Sequence, residues 1–138
     1  MKTKFLLIIS SFLLSIAITK AQTTRYVPGN YPTIQAAITA SSAGDIIEVS
    51  AGTYTETISL SKNITLRGPN YLKHGADNTR SGEAILLNSR MTISNGVFEG
   101  FRFEWSTDQR FSAITVSGGN LTIRNQYCPK RFCLSKSM

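Results

Sequence analysis

Short runs in which apolar and polar residues alternate dominate the chain from residue 24 onward. Alternation with a period of two is typical of half-buried strands, and most runs span three to five residues before Gly, Asn, Ser or Lys interrupts them. The predicted strands are residues 24–29, 46–49, 53–56, 58–60, 64–66, 84–88, 91–95, 101–103, 113–116 and 121–125. Because such short strands cannot bury a core by themselves, we expect each to pair with its equivalent in the next turn of a stacked solenoid.

The segment after the first predicted strand has a helical period instead. Ile34, Ala37 and Ile38 form one apolar stripe, and Pro32 suits the first turn of a helix. Gly44 suits a left-handed position at the end of the helix. A helix of about ten residues is marginal alone, so we expect it to pack its stripe over the open end of the solenoid and cover the unpaired strand edges there.

Two polar segments interrupt the strand pattern, and we interpret residues 71–82 and 106–111 as loops. Two phrases of the same form, MTISN and LTIRN, end in Asn95 and Asn125. Asn tolerates left-handed backbone and can hydrogen-bond to the neighbouring turn, so we expect both residues at corners of the coil.

The N-terminus has the layout of a signal peptide. Lys2 and Lys4 precede an apolar run over residues 5–18, and Ala21 offers a small residue for cleavage. The run is shorter than the roughly 20 residues needed to span a bilayer. We therefore assign residues 1–21 to a signal peptide and expect an exported protein, secreted or at the cell surface, or periplasmic if retained, with no membrane span after cleavage.

The formal charge of +7 lies mostly in the two terminal segments. Residues 22–127 carry nine basic and eight acidic side chains, a net charge of +1. A nucleic-acid-binding surface needs a basic stripe on the fold itself, and this balance predicts no nucleic-acid partner.

Three phrases resemble a known family. YPTIQAAI at residues 31–38, GDIIEV at residues 44–49 and GTYTE at residues 52–56 are similar to the N-terminal coils of right-handed parallel β-helix proteins of the pectin lyase-like superfamily. GTYTE also resembles the first signature of pectin methylesterases. The resemblance covers roughly residues 25–125. It implies an all-β, right-handed parallel β-helix of about four or five coils with an N-terminal capping α-helix, and we place this domain at residues 22–125.

Two pairs of residues are candidates for contact with a saccharide. Tyr54 and Glu56 place an aromatic ring beside a carboxylate, although they could instead pack on the helix and accept backbone N–H groups at the corner. Arg102 and Glu104 alternate with two phenylalanines and therefore point outward. They could bind an acidic sugar or form a solvated surface pair.

Catalytic and metal-binding patterns are not found in the sequence. The pectin methylesterase phrases that carry catalytic residues do not occur, and the eight acids are too scattered for a pectate lyase or polygalacturonase site. His74 is the single histidine, and a zinc site needs four ligands. We predict no catalytic residue, metal or cofactor, and the sequence favours a protein that is not an enzyme.

The last thirteen residues, 126–138, form a basic tail in which the alternation stops. Cys128 and Cys133 could form a local disulfide in an exported chain or remain a free pair. One hypothesis is that the tail follows truncation of a longer β-helix by a frameshift or early stop, which leaves an uncapped last coil open to end-to-end self-association. The rival is that the two cysteines close a hairpin that serves as the cap.

Three functional hypotheses follow. The favoured one is an exported, carbohydrate-associated binding or adhesive module without a complete active site, with a polysaccharide as partner. The second is the N-terminal fragment of a polysaccharide-active enzyme of the pectinesterase or pectate lyase type. The third is a non-functional truncated fragment.

Overall fold

A computed structural model of the protein describes residues 21–105 and 114–128, together with the backbone of residues 134–136. The predicted loop at residues 106–111, Cys133 and nearly all of the predicted signal peptide lie outside this part of the chain.

The described residues form one short helix and twelve short strands. Helix α1 spans Ile34–Ala40. The strands are β1 (Thr24–Val27), β2 (Ile46–Val49), β3 (Gly52–Tyr54), β4 (Thr57–Leu60), β5 (Thr65–Arg67), β6 (Ala84–Leu87), β7 (Arg90–Ile93), β8 (Gly96–Glu99), β9 (Phe101–Glu104), β10 (Ile114–Val116), β11 (Leu121–Arg124) and β12 (Leu134–Lys136).

The strands form three sheets in which every pair is parallel. Sheet A has the order β1-β2-β5-β8-β11, sheet B the order β3-β6-β9 and sheet C the order β12-β10-β7-β4. From β2 to β11 the chain visits sheets A, B and C in rotation. The protein is thus all-β with parallel sheets and one short helix, as predicted, and this topology is compatible with a β-helix-like solenoid.

One apolar core lies between the sheets. Its side chains come from equivalent positions of successive turns, such as Ile47, Leu66 and Phe98 in sheet A. The rings of Phe98 and Phe101 stack with centroids 4.6 Å apart and planes inclined by 13°. Burying an apolar side chain of this size contributes about 1.5–3 kcal/mol, so the repeated columns hold the turns together.

Helix α1 packs on β1, β2 and β4. Its predicted stripe of Ile34, Ala37 and Ile38 is buried. The helix has seven residues rather than about ten, because Ser41 turns to an extended backbone and its hydroxyl donates to the Ala37 carbonyl at 2.7 Å. Gly44 is left-handed (φ +91°) but lies in the turn before β2 instead of at the helix terminus.

Asparagine side chains occupy corners between the sheets. Asn88 and Asn125 have left-handed backbone, with φ of 50° and 58°. Asn95 connects three turns instead: its side chain donates to the Ser61 carbonyl and accepts from the Asn120 N–H, both at 3.2 Å. The predicted left-handed corner is confirmed at Asn125, and the predicted hydrogen bonds between turns are found at Asn95.

Backbone pairing continues after Asn125. The Tyr127 N–H donates to the Phe101 carbonyl at 2.9 Å, and the Phe103 N–H donates to the Tyr127 carbonyl at 3.0 Å. Strand β12 pairs with β10. Cys128 is disulfide-bonded, and its pairing with Cys133 stays a prediction.

Candidate functional site

The outer face of sheet A carries a column of polar and charged side chains. The strand registers align one residue from each of the five strands, and these are Tyr26, Glu48, Arg67, Glu99 and Arg124. Adjacent strands lie about 4.8 Å apart, so consecutive members of the column are within contact distance. Acidic and basic residues alternate along it, and each basic residue therefore has an acidic neighbour.

Two ion pairs form along this column. The Arg67 Nε donates to Glu48 Oε1 at 3.1 Å, and its Nη2 donates to the same oxygen. Arg124 donates from Nε to Glu99. The Glu99 residue is only 2 % exposed, whereas the Glu48 side chain is 37 % exposed. Of the two carboxylates in the column, Glu48 is therefore the one that solvent and solutes can reach.

A loop after β5 lies beside Glu48 and Arg67 and forms one side of a groove. The chain turns at residues 68–71, where the Tyr71 N–H donates to the Gly68 carbonyl at 3.2 Å. The buried side chain of Asn70 exchanges hydrogen bonds with the Ser81 backbone at 3.1 and 3.4 Å and closes the base of the loop. The Asn125 side chain donates to the Tyr71 carbonyl. These contacts fix the backbone of Tyr71 against sheet A.

Gly100 permits this close approach of the loop. Its φ is +80°, and a Cβ at this position would lie 2.4 Å from the Tyr71 backbone nitrogen. Both the backbone conformation and the missing side chain are thus required for the loop to rest on the corner after β8.

The loop and the column together form an open groove with a volume of about 220 Å³. Its lining residues are Tyr26, Glu48, Val49, Ser50, Arg67, Gly68, Pro69 and Tyr71. Tyr26 is 47 % exposed and offers an accessible ring. The Arg67 guanidinium carbon lies 4.5 Å from the centroid of the Tyr71 ring, a cation–π contact that holds both side chains in place.

Several polar groups in the groove have no hydrogen-bond partner within the described part of the chain. Among the described residues, no hydrogen bond engages the hydroxyls of Tyr26 and Tyr71 or the second carboxylate oxygen of Glu48. The groove therefore offers aromatic surface, an accessible carboxylate acceptor and hydroxyl groups that can donate or accept.

The structure gives Tyr54 and Glu56 contacts within the fold. The Glu56 carboxylate accepts the Ile34 and Gln35 N–H groups, both at 3.1 Å, at the beginning of helix α1. Tyr54 is half-buried, and its hydroxyl donates to the Ser50 carbonyl at 3.0 Å. Burial, and secondarily the nearby Glu56 charge, raises the pKa of Tyr54. Saccharide contact by either residue stays a prediction.

Arg102 and Glu104 lie together on the outer face of β9. Arg102 Nη2 and Glu104 Oε1 are 2.6 Å apart, and both side chains are about one-third exposed, at 35 % and 33 %. The Arg102 guanidinium carbon lies 5.1 Å from the centroid of the Tyr127 ring. Strand β6 separates this pair from Tyr54 on β3, so the two predicted pairs do not form one site.

The lining of the groove was not predicted from sequence. Tyr26 and Glu48 occupy outward positions of predicted strands, Arg67 directly follows the strand predicted at residues 64–66, and Tyr71 begins a predicted loop. The register that aligns three strands of sheet A, together with the path of the loop, brings these residues into contact. An alignment of successive coils by their inward residues would have placed Glu48 beside Arg67.

Within the described part of the chain, no three His, Cys, Asp or Glu side chains form a group that could hold a metal ion. The same residues contain no helix long and apolar enough to cross a membrane. Comparison with known proteins finds no matching family model, no similar curated protein and no similar solved structure.

Proposed function

We propose that this chain is an exported, right-handed parallel β-helix protein of the pectin lyase-like type that binds carbohydrate and has no complete active site of its own. The groove on sheet A is its binding site. The observation that carries the proposal is the placement of two tyrosines, Tyr26 and Tyr71, around the accessible Glu48–Arg67 pair.

The topology supports the β-helix. Strands β2, β5, β8 and β11 follow one another in sheet A, and each returns to the sheet after a strand in sheet B and a strand in sheet C. Connections between parallel strands of one sheet are right-handed in about 98 % of cases. This rule supports the right-handed coil that the sequence resemblance implies.

The chemistry of the groove supports carbohydrate as the ligand. A pyranose ring has C–H groups on its faces, which pack on aromatic side chains, and hydroxyls around its rim, which hydrogen-bond. The groove offers ring surface from Tyr26, an acceptor on Glu48 and further donors on Arg67. Its volume of about 220 Å³ is below the roughly 300–1,000 Å³ of sites for drug-sized ligands, and an open groove of this size suits one unit of a longer chain.

Export is supported by the leader pattern at residues 1–21. An exported protein meets extracellular polysaccharides, and a rigid stack of parallel strands presents a fixed surface to an extended chain.

Binding to a panel of polysaccharides, measured by affinity electrophoresis, tests the proposal. The Tyr26→Ala variant removes the exposed ring and is expected to weaken binding about tenfold, as for a central aromatic contact. Leu72→Ala is the matched control, because Leu72 is 80 % exposed on the adjacent loop but does not line the groove. The proposal would be contradicted if Tyr26→Ala kept full affinity. It would also be contradicted if the native protein bound none of the polysaccharides in the panel.

A further inference from the structure

The charge balance of the groove distinguishes between classes of saccharide. Its lining contains one acid, Glu48, and one base, Arg67. Arg67 donates hydrogen bonds from both Nε and Nη2 to one oxygen of Glu48. The groove therefore has no net charge, and its guanidinium is already compensated.

Among the described residues, the basic side chains beside the groove are engaged by other groups of the protein. Arg124 is paired with the buried Glu99, the next acid in the column after Arg67. Arg25 is bound to Asp45. The Lys73 ammonium donates to the Thr79 carbonyl. Hydrogen bonds from Thr79 and, to a lesser extent, the Lys73 charge lower the pKa of the nearby Asp77. Arg80 on the same loop is paired with Glu83, so each described basic side chain on the flanking strands and loop contacts a carboxylate or a carbonyl of the protein.

A carboxylated sugar would be disfavoured in this environment. Its carboxylate would have to leave water beside the accessible Glu48 charge without gaining an unpaired cation, and burial of an uncompensated charge is costly. A neutral sugar has no such penalty, since its vicinal hydroxyls can donate to the free oxygen of Glu48 and accept from Arg67.

We infer that the groove selects uncharged pyranose saccharides over uronate-containing ones. This inference deepens the proposed carbohydrate binding and rests on it. The selectivity follows from the pairing of Glu48 with Arg67, because this ion pair neutralises the one basic residue among the described residues that line the groove.

Isothermal titration calorimetry on the full chain tests this selectivity with hexasaccharides of equal length. The neutral probes are cellohexaose and mannohexaose, and the acidic probe is hexagalacturonate. We expect at least one neutral probe to bind at least tenfold more tightly than hexagalacturonate, and we expect its affinity to change little between low and physiological salt because no net charge is neutralised.

A charge-removing variant sharpens the test. Glu48→Gln leaves Arg67 uncompensated, so binding of hexagalacturonate is expected to strengthen at least fivefold and to become salt-dependent, while binding of the neutral probe weakens. Asp77→Asn is the matched control, because it removes the same charge from the loop without lining the groove. Circular dichroism verifies that both variants are folded, as expected for Glu48 with its 37 % exposed side chain.

The outcomes separate the inference from the proposed function. Tight binding of hexagalacturonate by the native chain, at or above the affinity of the neutral probes, would overturn the selectivity and leave carbohydrate binding intact. An unchanged preference in Glu48→Gln would also overturn it, since the ion pair would then not be its cause. If none of the three probes bound, the proposed carbohydrate binding would itself be contradicted, and the selectivity would fail with it.

Discussion

Asp45 is an almost completely buried carboxylate, with only 3 % of the residue exposed. The Ser42 N–H at 2.7 Å and the Thr23 N–H at 3.0 Å donate to it, and Arg25 forms an ion pair with it. These backbone hydrogen bonds and, to a lesser extent, the Arg25 guanidinium lower the pKa of Asp45. The contacts tie β1 to the turn before β2 at the end of the stack that helix α1 covers.

Asp45 should therefore give the fold a pH-dependent component of stability. A carboxyl with a lowered pKa in the folded state stabilises the fold above its unfolded pKa of about 3.9, and this stabilisation is lost as the pH falls through the folded value. We expect Asp45→Asn to have a lower free energy of unfolding than the native protein at pH 7. The difference should shrink as the pH falls below about 4.

Urea unfolding at a series of pH values measures this difference. Asp77→Asn serves for comparison, because Asp77 also has a lowered pKa but bonds chiefly to Thr79 within its own loop. A gap between native protein and Asp45→Asn that stays constant from neutral to acidic pH would refute the assignment.

At the scale of the element, helix α1 depends on the turn beneath it. A seven-residue helix is not stable alone, and α1 has no acidic residue in its first turn and no basic residue in its last. Residues on either side of β4 supply both charges. Glu56 accepts two N–H groups at the N-terminus, and the Lys62 ammonium donates to the Ile38, Thr39 and Ser41 carbonyls at 2.7–2.9 Å. Both charges complement the helix dipole.

This arrangement predicts a structural effect for substitution of Glu56. Glu56→Ala leaves the Ile34 and Gln35 N–H groups without their acceptor and is expected to lower the free energy of unfolding by on the order of 1 kcal/mol. Binding of the saccharide should be unchanged, because Glu56 does not line the groove. Chemical denaturation and affinity electrophoresis on one preparation measure both effects.

Lys62→Met is the companion variant at the other end of the helix and should destabilise the fold in the same way. If Glu56→Ala remained folded with unchanged stability but lost saccharide binding, Glu56 would be a ligand contact, as its position beside Tyr54 in the sequence first suggests.

At the scale of the whole molecule, features with a local cause were predictable from sequence. Most strands show alternating apolar and polar residues within their own sequence, and ten of the twelve described strands overlap a strand predicted from it. The stripe of helix α1 and the loop after β5 follow from equally local patterns. Strand β8 was missed, because Gly96 begins it and Glu99 ends it, so that its four residues lack a clear alternation. Its Phe98 nevertheless lies at the centre of the core.

The groove was not predictable in the same way, because its residues are far apart in the sequence. Tyr26 and Tyr71 are separated by several strands, and only the register of sheet A and the close contact at Gly100 bring them to one place. The sequence candidates were neighbours along the chain instead. Tyr54 and Glu56 are close in the sequence, and the structure shows that each forms a hydrogen bond to a backbone group inside the fold.

An amide chemical-shift titration of the isotopically labelled protein with cellohexaose and with mannohexaose would locate the saccharide-binding surface residue by residue. For at least one of these probes, we predict shifts that saturate and that concentrate at Tyr26, Glu48, Ser50, Arg67 and Tyr71. Saturating shifts centred on Arg102 and Glu104, or no shifts with either probe, would contradict the assignment of the groove on sheet A as the saccharide site.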